Sequence, residues 1–136
     1  MSVKLIESFR NAHTTLLSSI DQVQMASRSY SLAKPSLRTL NAKVIAHLGR
    51  QDNQFTDKLL AFYAGDREAS KMLEFLVHDL KDIKIKFLVF YDKHSGELAD
   101  TNARSFPKDL AEFIDELINR IKMEEEYLFP LLKKLA

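Results

Sequence analysis

A chain of 136 residues that is 46% hydrophobic is long enough to bury one core unaided, so a single domain over 1–136 is expected. Its 20 basic side chains nearly balance 19 acidic ones, which leaves no basic footprint for nucleic acid or a membrane surface. The absence of cysteine excludes disulfides and thiolate metal sites. Any metal must therefore be held by nitrogen and oxygen, and the reducing cytoplasm is the expected location.

The N-terminal run MSVKLIESF enters an amphipathic pattern at once. It lacks the basic and apolar regions of a leader, and no stretch approaches the roughly 18 apolar residues of a spanning helix, so a soluble, unexported protein is expected. With three glycines, three prolines and no alternating β-branched run, the chain reads as all-α.

The first segment, about residues 2–29, places Ile6, Phe9, His13, Leu16, Ile20 and Val23 at alternating spacings of three and four. That is the seam of a helix packed in a bundle, and it turns His13 inward. Pro35 suits the first turn of a second helix, about 35–63, whose seam is Leu37, Leu40, Val44, His47, Gln51, Phe55 and Leu59. Gly65 and Asp66 read as a stop and a new N-cap. The third helix, about 67–93, then carries Leu73, Val77, Leu80, Ile83, Phe87 and Phe90, with His78 on its flank. The segment 94–106 is the longest expected connection, and His94 suits the C-terminal end of the third helix. Pro107 opens a fourth helix to about 134, and Pro130 should bend or end it. Four long helices with short joints predict an antiparallel up-down-up-down four-helix bundle.

Two stretches repeat. Residues 47–55 (HLGRQDNQF) align without gaps on 120–128 (RIKMEEEYL). In each, an imidazole or guanidinium precedes a polar or acidic pair by four and five positions, and residues four apart share a helix face. The chain thus reads as two hairpins, with His13 and His78 on the first helix of each. Glu124 and Glu125 compete for the inward place, since Ile121 and Leu128 flank them on the seam.

On these residues the sequence resembles the hemerythrin-like (HHE cation-binding) family over nearly its whole length. The run 124–130 (EEEYLFP) is similar to that family's EE-x-x-LFP signature, and 46–55 (AHLGRQDNQF) to its second-helix histidine motif. The resemblance implies a non-haem di-iron site that binds dioxygen, senses oxygen or iron, or stores iron. Carried over by position, its metal ligands are His13, His47, His78 and Glu124.

Two positions depart from the pattern. Gln51 stands where a bridging carboxylate is expected, and Arg120 where a fourth histidine is expected. Glutamine is a poor iron ligand, and arginine stays protonated. Two outcomes follow. His13, His47 and Glu124 can hold a single Fe(II), with Asp52 as a substitute bridge. Alternatively, Arg120 pairs with Glu124 and replaces the cation. The expected function is accordingly an oxygen- or metal-responsive protein that binds iron, and through it dioxygen, without catalysis. The alternative is a metal-free bundle that binds a protein partner not specified by the sequence. A ferritin-like oxidase is disfavoured, because no Glu-x-x-His pair occurs.

Overall fold

The structure, a computed structural model, describes residues 2–26, 30–51, 53–95 and 104–135. Asp52 and most of the expected 94–106 connection lie outside the described residues. Among the described residues there are six α-helices: α1 (Ser2–Ala26), α2 (Tyr30–Gly49), α3 (Asn53–Phe62), α4 (Arg67–Ser95), α5 (Phe106–Met123) and α6 (Phe129–Lys133). A π-helical turn, Glu124–Leu128, joins α5 to α6. The four columns α1, α2–α3, α4 and α5–α6 form the antiparallel bundle, with α1 against α2 and α4 against α5. Among the described residues there is no strand, and no helix is long and apolar enough to cross a membrane.

The three-four seams do the packing. Ile6, Phe9, His13, Leu16, Ile20 and Val23 are all buried, as are Leu110, Ile114, Leu117, Ile121, Glu124, Leu128 and Leu132. Asp66 caps α4 as its sequence predicts, accepting a hydrogen bond from the Ala69 N–H at 3.1 Å and satisfying one of the helix's unpaired donors.

Three features differ from the sequence reading. The second column begins at Tyr30, which puts Pro35 inside α2 and not in its first turn. That column is also broken. The Arg50 and Gln51 N–H groups bond back only three residues, to His47 at 3.3 Å and Leu48 at 3.2 Å, a tightening that ends α2 before α3 starts. In the fourth column the regular α-helix ends at Met123, and the chain passes Pro130 without stopping, through a π turn into α6. The Pro130 ring would clash with the carbonyl four residues back in a regular α-helix. The wider π turn just before it relieves that clash, with the Phe129 N–H reaching the Glu124 carbonyl five residues back.

α4 extends to Ser95 and buries His94 completely. The His94 Nε2–H donates to Asp109 Oδ2 at 2.9 Å, which ties the end of α4 to the first turn of α5. Burial alone would raise the Asp109 carboxyl, but bonds from Lys93, His94 and Ser105 hold it below the ordinary carboxylate range.

The core divides into two apolar clusters. One runs from Leu16, Ile20 and Leu37 to Leu117 and Ile121. The other gathers Ile6, Phe9, Leu59, Leu73, Leu76, Leu128 and Leu132. Between them lies a polar layer of His13, His47, Gln51, Arg120 and Glu124, all buried. Such a layer is expensive unless every group is paired, and its bonding therefore decides what the bundle can do.

Candidate metal centre

His13, His47 and Glu124 stand at seam positions, so helix packing turns them inward, and Gln51 and Arg120 are buried beside them. α1 supplies His13, and α2 supplies His47. Gln51 follows in the break after α2, so it is not on one continuous helix face with His47. α5 supplies Arg120, and Glu124 opens the π turn.

Glu124 is the hub. Its Oε1 lies 2.7 Å from His13 Nε2 and 2.7 Å from His47 Nε2. A carboxylate only accepts, so both imidazoles donate their Nε2–H. Its Oε2 accepts from Gln51 Nε2 at 2.7 Å and from Arg120 Nε at 2.8 Å. Burial of Glu124 would raise its pKa. The His13 and His47 hydrogen bonds, with the electrostatic attraction of the neighbouring His47 and of the Arg120 guanidinium, overcome this and hold the carboxyl far below its usual range. Glu124 is ionised throughout the neutral range.

Arg120 is buried at 2% exposure and uses its planar fork fully. Besides Glu124 it donates to Gln51 Oε1 at 2.7 Å, to the Leu76 carbonyl at 2.8 Å and to Asp79 Oδ2 at 3.1 Å. One guanidinium thus binds the second, third and fourth columns to each other.

Aromatic rings close the layer on the side of the second cluster. Phe129 stacks on His13 with centroids 5.6 Å apart, and Phe9 meets His47 edge-on at 5.7 Å. The His13 and His47 rings are 4.8 Å apart and nearly perpendicular. On the side toward α4, a cavity of about 20 Å³ is lined by Gln51, Arg120, Phe55, Leu76 and Leu128.

The structure brings His13, His47 and Glu124 together, with one donor atom of each inside a 4.8 Å cluster. It does not bring His78 there. His78 is exposed beside Leu60, Glu74 and Lys81, because α4 buries Leu73, Leu76 and Leu80, and His78 falls on the opposite side of that seam. Glu125 is 46% exposed, so Glu124 takes the inward place. Even so, Glu125 Oε1 stands 3.5 Å from His13 Nδ1. Sequence reasoning missed Asp79, whose only signal was its place one turn from Leu76 on the α5-facing side.

The donor chemistry admits one cation and not two. For one, two imidazole nitrogens and a carboxylate oxygen converge. His13 Nδ1 and His47 Nδ1 are buried without hydrogen-bond partners, so either ring can carry its proton there and free Nε2 as a ligand. For a second, no further group of ligating side chains is found among the described residues, the neighbouring Arg120 cannot ligate and Gln51 is neutral.

Comparison with curated proteins and with solved structures returned no match. The family model described as "Hemerythrin HHE cation binding domain" matches residues 4–132, spanning both repeats, the polar layer and all four columns; the chain belongs to the hemerythrin HHE cation-binding family.

Proposed function

We propose that this protein binds a single non-haem ferrous ion through His13, His47 and Glu124, and acts by occupancy and not by turnover. Its occupancy would report the availability of metal or of a small ligand such as dioxygen. The observation that carries this reading is the convergence of three buried donor atoms on one point. Two histidines and one carboxylate form a set suited to Fe(II). When bound, the ion would supply a Lewis-acidic, redox-active centre.

The protein's own groups set the terms. Glu124, fixed in its ionised form, supplies the negative charge. Glu125 Oε1, 3.5 Å from His13 Nδ1 and not hydrogen-bonded to it, is placed to become, by a small side-chain movement, the outer-shell acceptor that ligating imidazoles usually have. Arg120 and Gln51 hold the second oxygen of Glu124 and fix its orientation. The adjoining cavity of about 20 Å³ has room for a water-sized molecule. It is far below the roughly 300–1,000 Å³ of organic-ligand pockets, which supports a binding role over catalysis on a larger substrate.

One observation favours a second reading. The acceptor positions of Glu124 are already filled by His13, His47, Gln51 and Arg120, so the layer is closed without an ion. On that reading the bundle is a metal-free interaction module. Anaerobic titration with Co(II), followed by its visible absorption, separates the two. A band that saturates at one equivalent and disappears in His47→Ala is expected. No band in the unaltered protein would leave the metal-free module.

A further inference from the structure

The outer face of α4 carries a stripe that no described part of the chain covers. Phe75, Ile85 and Val89 are 52%, 61% and 64% exposed, and His78 and Asp82 between them are exposed as well. Their positions, 75, 78, 82, 85 and 89, alternate spacings of three and four. This is the seam with which two helices meet, and it lies opposite the buried Leu73, Leu76, Leu80, Ile83 and Phe87.

Toward α5 this seam opens into a groove of about 380 Å³ lined by Ile85, Val89, Phe90 and Phe113. On its polar rim Lys86 pairs with Glu116 at 2.8 Å and Lys93 with Asp109 at 2.9 Å, and Glu112 adds one further carboxylate. At 100° per residue, Phe75, Lys86 and Lys93 lie within about 20° of one another around α4. Phe75 is therefore an exposed knob on the same flank as the groove, about 18 Å away along the helix.

A knob and a groove on one flank of one helix cannot meet within a chain, but two antiparallel copies satisfy both. We propose that α4 pairs with α4 of a second copy about a two-fold axis at the level of Leu80, each Phe75 filling the other copy's groove. Every contact then occurs twice, as an isologous interface requires. In this register His78 of each copy faces Asp82 of the other, so the polar positions of the seam are complementary. A parallel pairing would set Asp82 against Asp82 and leave both grooves empty. The assembly does not depend on the polar layer, since none of these residues belongs to it.

The test uses the full chain in sedimentation equilibrium over a hundredfold concentration range. A doubled mass is expected, falling to one chain in Phe75→Glu while the helical circular dichroism stays unchanged. Because the chain has no cysteine, oxidative cross-linking reads the register. The Phe75→Cys, Ile85→Cys double variant should form a covalent dimer. Neither single variant should, since like positions lie on the order of 15 Å apart along the axis, beyond disulfide reach. A monomer at every concentration would overturn the proposal. So would a dimer that survives Phe75→Glu, or one that cross-links through either single cysteine.

Discussion

Replacing Arg120 by Met tests whether the guanidinium is the keystone of the polar layer. Methionine keeps most of the aliphatic volume, so the loss is electrostatic and not a cavity. The substitution removes the bonds to Glu124, Gln51, Leu76 and Asp79 and leaves an ionised carboxylate with 0% exposure. Removing one partner of a buried ion pair costs about 3–5 kcal/mol. For a domain of this size that corresponds to a fall of roughly 10–18 °C in Tm. Urea unfolding followed by far-ultraviolet circular dichroism, in chelator, measures it. Arg120→Lys should lose less than Arg120→Met but not recover, since a single ammonium cannot reproduce the fork. The pair Arg120→Met, Glu124→Met should be more stable than Arg120→Met alone, because no charge is left stranded. A loss below about 1 kcal/mol for Arg120→Met, the value of an exposed ion pair, would refute this account.

Four further outcomes follow from the same geometry. Glu124 has a depressed folded-state pKa, so its contribution is present above the unfolded value near 4.5 and is lost as pH falls below it. The stability gap between the unaltered protein and Glu124→Gln, followed by urea unfolding, should be flat from pH 7 to 5 and then close by up to about 1.4 kcal/mol per pH unit. Glu125→Ala should weaken the Fe(II) or Co(II) dissociation constant by about tenfold or more through loss of the partner to His13; an unchanged constant in the titration would remove Glu125 from the site. His78→Ala should leave metal affinity unchanged, since His78 lies outside the cluster. His94→Ala should cost about 1–3 kcal/mol in urea unfolding, the usual range for breaking a buried polar contact, with metal affinity untouched.

Much of this arrangement is legible in the sequence, and the residues that are not have physical reasons. His13, His47, Gln51 and Glu124 occupy seam positions of the sequence pattern, and a seam residue in a tightly packed bundle has nowhere to point but inward; Arg120, beside the seam residue Ile121, is marked only by the repeat. His78 was misplaced by a single helical position. The sequence pattern puts Val77 on the seam with His78 on its flank, whereas the structure buries Leu76, a difference of about 100° that carries His78 to the outside. The break at Arg50 and Gln51 left no clear signal beyond Gly49, since the apolar spacing continues through it into Leu59. Pro130 announced a disturbance but not its form, because a π turn and a kink both relieve the same clash. The four-way bonding of Arg120 was out of reach, since its Leu76 and Asp79 partners lie in a column whose rotation the sequence left open.

On the proposed function the site holds one cation, with Arg120 at the position where the family resemblance implies a further ligand. Anaerobic equilibrium dialysis against Fe(II), followed by elemental analysis, tests it most directly. One iron per chain is predicted, falling to none in the His13→Ala, His47→Ala double variant. No bound iron in the unaltered protein, or two per chain, would contradict it.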